Sequence, residues 1–391
     1  MKRIAVPLAV IAASTVIALL AFELLLRAIG YSAPVWREPH PQLGWSLRPG
    51  VEGWNTGENR AYVKINDAGW RDRPHAVEKP AGVYRVAVLG DSYSEAMHVA
   101  LEDTYWSRLE GFLRDCLSRP VEVLNFSAAG YGTAQQYVAL QSVALRYKPD
   151  LVLLQFTNGN DVRNNSRALE PEKERPFFTL QGDELRLDAS FASDPQFLAR
   201  QTAGSEVVRR LTDYSRTLQM VRTVSQAGLV SRAHATRSDE IEAGLDLAPL
   251  APPATPQWQE AWRVTERLIE EVDTLARKNG APLALMMVPY AIQVHPDPAV
   301  RESVRQKLGV EDLFYPERRL EAFGKARGIP VVALAPGMQK VSQAETRYLH
   351  GFDKSRPGLG HWNEQGHRVA AEITAQQLCN GLAKPRLSPP G

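Results

Sequence analysis

The chain predicts a parallel α/β sheet covered by helices on both faces, and three observations carry that prediction. Five apolar runs have the length of strands: 83–90 (VYRVAVLG), 121–127 (VEVLNFS), 150–157 (DLVLLQFT), 282–289 (PLALMMVP) and 330–336 (PVVALAP). They alternate with helical segments at 104–117, 133–147, 257–278, 316–327 and 363–382, the order a parallel sheet requires. The runs are near-continuous in Val, Leu and Met rather than alternating with polar residues, so neither face of the sheet meets water. With 391 residues, 44% of them hydrophobic and 23% charged, the chain is long enough and apolar enough to bury such a core.

The elements before the sheet are of another kind. Lys2 and Arg3 precede IAVPLAVIAASTVIALLAF, an uncharged run as long as a bilayer core needs, and the apolar pattern continues through ELLLRAIGY. A cleaved signal peptide has a shorter apolar region, and Val16-Ile17-Ala18 is a poor cleavage site, so residues 1–30 are expected to be an uncleaved anchor. Glu23 and Arg27 stand one helical turn apart where this helix leaves the hydrocarbon. The basic N-terminus stays cytoplasmic, which puts the remainder on the periplasmic side. Residues 31–82, rich in Pro, Gly and Trp, read as a strand-and-loop extension whose tryptophans Trp36, Trp45, Trp54 and Trp70 cap apolar surface, with stacking on sugar rings as the alternative.

Residues 83–391 then form the sheet domain, with an insertion at about 162–256 between the third and fourth strands. The insertion holds a hairpin (PFFTLQGDELRLD), an amphipathic helix over SEVVRRLTDYSRTLQMVRTV and a Pro/Ala-rich linker. Its arginines Arg209, Arg210, Arg216 and Arg222 read as a solvated face, with contact to anionic lipid or polymer as the alternative.

Charge and cysteine content exclude several classes. The 46 basic and 44 acidic residues nearly cancel, and no basic, aromatic-interleaved stripe occurs, so a nucleic-acid partner is not expected. The two cysteines, Cys116 and Cys379, are too few for a cysteine zinc site, and no His-Glu-x-x-His, phosphate loop or Gly-x-Ser-x-Gly elbow is present. No metal or other cofactor is expected.

Ligands of open parallel sheets bind at the carboxyl ends of the strands. The first strand there ends in Gly90-Asp91-Ser92, and the second runs into Asn125 and the loop SAAGYGT with Gly130 and Gly132. The third ends in TNGND with Asn160 and Asp161, and GLGHWNEQGH, containing His361, precedes an Asn363 N-cap. A hydroxyl, a backbone-donor loop, a carboxamide and an imidazole at one sheet edge are the parts of acyl transfer: Ser92 as nucleophile, His361 as base, and donors for the oxyanion.

These blocks resemble the SGNH (GDSL-type) hydrolases. VLGDSYSEA is similar to the family's serine block, NFSAAGYGTAQ to the glycine block, TNGNDV to the asparagine block and GHWNEQGH to the histidine block, in family order. The resemblance implies a flavodoxin-like three-layer α/β/α sandwich around a five-stranded parallel sheet. It also implies Ser92 as nucleophile, an oxyanion hole of the Ser92 N–H, Gly130 and Asn160, and His361 as base. Two positions depart from the family pattern: Asn158 stands for a glycine, and Gly358 for the aspartate three residues before the histidine. Asp353 is the nearest upstream carboxylate and the expected third member, the alternative being a Ser–His dyad oriented by a backbone carbonyl. Asp91 is expected to organise its loop, and His98 and His367 to pack. In a flavodoxin-like sheet the first and last helices run side by side, so Cys116 and Cys379 are expected to form a disulfide.

The expectation from sequence is therefore a single-pass, membrane-anchored serine esterase. Its partners would be the membrane, through the N-terminal helix, and an acylated glycan or lipid, with O-acetyl groups as the expected esters. An O-acyltransferase of envelope polysaccharide and a non-catalytic envelope-assembly protein are the alternatives.

Overall fold

The computed structural model describes residues 2–234, 246–352 and 357–382. Helix α1 (Lys2–Ala28) comes first, followed by two hairpins, β1 (Arg37–His40) with β2 (Gly44–Leu47) and β3 (Glu52–Asn55) with β4 (Ala61–Lys64). The sheet domain opens with β5 (Tyr84–Leu89), α2 (Ser92–Glu95), α3 (Tyr105–Leu117), β6 (Val121–Asn125), α4 (Thr133–Ser142), β7 (Leu151–Thr157) and α5 (Asp161–Asn164). The insertion supplies the hairpin β8 (Phe177–Gln181) and β9 (Glu184–Asp188), then α6 (Pro195–Ala199), α7 (Ala203–Tyr214) and α8 (Arg216–His234). The domain closes with α9 (Pro256–Lys278), β10 (Leu283–Val288), α10 (Pro298–Leu308), α11 (Tyr315–Arg327), β11 (Val331–Ala333), α12 (Leu334–Glu345) and α13 (Glu364–Leu382).

Five strands form one parallel sheet in the order β6-β5-β7-β10-β11. Numbered by their place in the domain this is 2-1-3-4-5, the flavodoxin-like order. Alternation along each strand divides the core into two layers. Ala87, Leu89, Val152, Leu154 and Met287 pack with Leu140 of α4, Trp262 and Leu268 of α9 and Phe323 of α11. Val86, Val88, Leu153, Met286 and Val288 face the opposite way, onto Trp106 and Leu109 of α3, Met338 of α12 and Val369 of α13. The fold is a three-layer α/β/α sandwich. The extension joins the first of these layers through Leu47, Val63, Ile65 and Trp70, so its hairpins are fixed to the sheet rather than tethered beside it.

On the second face, α3 and α13 lie side by side, and the Cys116 and Cys379 sulfurs are 1.97 Å apart with Cα atoms separated by 6.2 Å. The bond spans 263 residues of sequence, so it removes much freedom from the unfolded chain. Reduction, or Cys379→Ser, is expected to lower stability by about 3–5 kcal/mol. Thermal unfolding with and without reductant checks this.

Three elements differ from the sequence expectation. The helix expected over 133–147 ends at Ser142 and continues as a 3₁₀ turn over Ala144–Tyr147. The amphipathic helix expected across SEVVRRLTDYSRTLQMVRTV is two helices, broken at Ser215, which is extended (φ −108°, ψ 113°). The break is stabilised from a distant part of the chain: the Glu23 carboxylate accepts from the backbone N–H of Arg216 (3.0 Å) and of Thr217 (2.8 Å), the first free donors of α8. Helices α10 and α12 were not singled out by periodicity; the latter follows β11 without a loop. The apolar stretch of α1, Pro7–Ala28, is long enough to cross a membrane, and of its residues only Leu26 is buried in the protein.

Candidate active site

The serine turn is assembled from buried polar groups. Asp91 caps the single turn of α2 by accepting from the Tyr93 N–H (3.0 Å), and its own N–H donates to Gln155 Oε1 (3.0 Å) on the neighbouring β7. Gln155 Oε1 also accepts from Ser94 Oγ (2.8 Å). Asp91 is fully buried, and burial raises its pKa against the hydrogen bond from the Tyr93 N–H. Asp91 thus ties the Ser92 turn to Gln155 of β7. Ser92 itself, the first residue of α2, remains partly exposed.

His361 reaches the serine from the far end of the domain. An isolated bridge between His350 and Trp362 holds the segment, and Asn363 Oδ1 caps α13 by accepting from the N–H groups of Gln365 (3.1 Å) and Gly366 (3.0 Å). Tyr93 packs tilted against the imidazole with ring centroids 4.9 Å apart. His361 Nε2 then lies 2.7 Å from Ser92 Oγ.

The third member is Glu58, in the turn between β3 and β4 of the extension. Its Oε1 lies 2.7 Å from His361 Nδ1, and its Oε2 accepts from the His361 backbone N–H at 2.8 Å. Gly360 has φ +86°, and a Cβ there would meet Glu58 Oε2 at 2.5 Å, so only glycine lets the carboxylate sit this close. The expected third member, Asp353, lies outside the described residues, and Glu58 occupies the Nδ1 side of His361.

The electrostatics follow from the geometry. Burial pulls the His361 pKa down, but the hydrogen bond and charge of Glu58, followed by the charges of Asp91 and Glu95, outweigh it and hold the pKa above the ordinary histidine value. Burial conversely pushes Glu58 up, and its hydrogen bond to His361 and the neighbouring imidazole charge leave it well below the usual carboxylate range. A charged Glu58 fixes the tautomer with Nδ1–H toward the carboxylate and the lone pair of Nε2 toward Ser92. His98 stacks on His361 at 4.3 Å between centroids, and burial, then the charge of His361, holds it down to about 3, so it packs as a neutral ring. His367 is likewise structural, its Nδ1 accepting from the Tyr105 N–H at 3.2 Å.

Gly130 and Asn160 stand at the carboxyl ends of β6 and β7, on either side of β5 and Ser92. Gly130 has φ +83°, and its carbonyl accepts from Arg175 Nη2 at 2.8 Å. Trp45 covers the loop, donating from Nε1 to the Ala129 carbonyl at 3.2 Å, with the Arg175 guanidinium 4.9 Å from its ring centre. A Cβ on Gly130 would approach Trp45 at 3.3 Å. Gly130→Ala is therefore expected to cost about 1–2 kcal/mol in backbone strain and to lower turnover by displacing a donor. Thermal melts beside steady-state rates check both. Asn158 is directed elsewhere: its Nδ2 donates to Glu317 Oε1 at 2.6 Å in a buried cluster with Gln293, where burial pushes Glu317 up to about 7.

Glu58, His98 and His361 also place three ligand atoms within 4.8 Å of one another. Both His361 nitrogens already have partners in Ser92 and Glu58, so the arrangement is built for proton transfer. Sequence reasoning missed Glu58, beside His361, and Arg175, beside the Gly130 loop. The one available signal was Gly358, a position without a carboxylate where the family pattern has one.

No family model matches the chain, and no curated protein matches it. Solved structures that match include a protein described as lipolytic, of the G-D-S-L family, from Desulfitobacterium hafniense DCB-2: 12% identical, covering 75% of this chain and 98% of that one, TM-score 0.34. They also include the acetyl xylan esterase AlAXEase, 12% identical, 75% and 98% covered, TM-score 0.38. A catalytic mutant of the acetylxylan esterase Axe2 from Geobacillus stearothermophilus is 11% identical, with 75% and 94% covered and a TM-score of 0.39. Likeness at this level carries neither family nor activity across to this chain.

Proposed function

We propose that the chain is an SGNH-type serine ester hydrolase anchored in the membrane by α1, with its catalytic domain on the periplasmic side. The carrying observation is the continuous relay of Ser92, His361 and Glu58, each step 2.7 Å. Ser92 Oγ attacks the ester carbonyl as His361 Nε2 takes its proton. The N–H groups of Ser92 and Gly130 and the Asn160 amide receive the oxyanion. The imidazolium, stabilised by Glu58, returns the proton to the leaving alcohol. Water then repeats the sequence on the acyl-serine, releasing the acid and restoring the hydroxyl.

The completed triad speaks against a non-catalytic role, since the main support for one was the missing carboxylate at Gly358. A glycan O-acyl ester is the favoured substrate. Beside the glycine loop lies a groove of about 840 Å³ lined by Arg37, Trp45, Glu174, Arg200 and Arg209, a mixture of aromatic and charged groups suited to a polar chain. The test is turnover of p-nitrophenyl acetate by the full chain in detergent, followed by acetate release from O-acetylated polysaccharide. Hydrolysis of the simple ester with no release from any glycan would redirect the search to lipid esters. Transfer of the acyl group to a sugar hydroxyl in place of water would identify an acyltransferase. No turnover of short or long esters would overturn the proposal.

A further inference from the structure

The helix pair α7–α8 is mounted on the protein with its apolar side outward. A surface helix ordinarily buries its apolar stripe and exposes its polar one. Here the inward contacts are polar. Arg48, buried, makes a two-pronged ion pair with Asp213 of α7 at 2.9 and 2.6 Å. Gln219 of α8 has no exposed surface, and its Oε1 accepts from the Ala33 N–H at 2.8 Å. At 100° per residue, Val208, Leu211 and Tyr214 fall within about 120° of arc on α7. All three are exposed, Tyr214 by 78%. On α8, Leu218, Val221 and Val224 recur every third residue on the side away from Gln219, and Val224 is 64% exposed.

This apolar face is continuous with α1. Glu23 caps α8, Arg27 donates to the Tyr214 carbonyl at the end of α7, and Tyr31 Oη donates to Thr223 Oγ1 at 3.1 Å. Glu23, Arg27 and Tyr31 are the residues with which the apolar anchor leaves its hydrophobic stretch, Pro7–Ala28. The helix pair is thereby fixed at the depth where a bilayer ends.

We propose that α7–α8 lies in the membrane interface, with the faces of Leu211 and Tyr214 and of Leu218, Val221 and Val224 immersed beside α1. The occupant is lipid. Solvent-facing valines and leucines on two successive helices form the kind of patch that isolated soluble proteins avoid, and Arg209, paired with Glu206, lies opposite that stripe on α7. Two points of attachment, one spanning and one interfacial, hold the domain at a set height instead of leaving it to swing on α1. The inference rests on α1 as a membrane span and is independent of the ester chemistry.

The test uses the full chain reconstituted into phosphatidylcholine–phosphatidylglycerol vesicles. Single cysteines placed as Leu211→Cys and Val221→Cys carry an environment-sensitive fluorophore, with Val16→Cys in α1 as the membrane reference. Because both substituted side chains are exposed, neither change removes a core contact. Blue-shifted emission at both sites, lost to brominated lipid and insensitive to aqueous iodide at every protein-to-lipid ratio, is expected. Iodide quenching with no effect of brominated lipid would overturn the proposal. So would shielding from iodide that disappears on dilution into excess vesicles, which would identify a second copy of the chain as the occupant.

Discussion

Ser92→Ala is expected to abolish hydrolysis of p-nitrophenyl acetate by the full chain, with kcat/KM falling on the order of 10⁴–10⁶-fold. The hydroxyl at position 92 is the group whose proton His361 Nε2 is placed to accept, at 2.7 Å. His361→Ala is expected to be about as severe, because an un-ionised serine hydroxyl is a poor nucleophile. The combined variant is expected to be no worse than either alone, since the two groups act in one step. A double variant much slower than both single ones would mean that they contribute separately. Melting temperatures near that of the unsubstituted chain are expected, as neither side chain belongs to the apolar core.

The second large effect concerns Glu58. Glu58→Gln retains the size of the side chain and removes its charge, and kcat is expected to fall about 10²–10⁴-fold while KM changes little. Its pH dependence separates this role from a structural one. His361 must be neutral to act as base, so in the unsubstituted chain the rate rises with pH through a histidine pKa above the ordinary value. Glu58 is the chief cause raising that pKa, and burial opposes it. Removing the charge leaves burial to dominate, so the acid limb of the profile is expected to move to lower pH even as the plateau drops. Glu58→Asp, which keeps the charge on a shorter stem, is expected to recover part of the rate and to return the limb upward. A limb that stays in place in Glu58→Gln would mean that this carboxylate does not set the histidine.

The sheet was legible because each of its five strands is a near-continuous apolar run of strand length. Ser92 and His361 were legible for the same reason: each sits where a strand or helix boundary can be read locally, and the fold brings the two boundaries together. Glu58 was not, because it is 303 residues from His361 and occupies a turn between two four-residue strands with no period to mark it. A turn carboxylate in isolation looks like solvated surface, and only the folded extension brings it against Gly360. The break at Ser215 was hidden for a similar reason, since the group that caps α8 there belongs to α1. Long-range polar partners leave little trace in the local pattern, whereas apolar periodicity is written into every element.

The most direct test of the central claim, that the extension completes a working serine nucleophile, is the rate at which a fluorophosphonate modifies the full chain, followed by intact mass and peptide mapping. One adduct per chain, on the peptide containing Ser92, is expected. Its formation is expected to be fast in the unsubstituted chain, slowed strongly in Glu58→Gln and absent in His361→Ala. An unmodified Ser92, or equal rates with and without the Glu58 charge, would contradict the account.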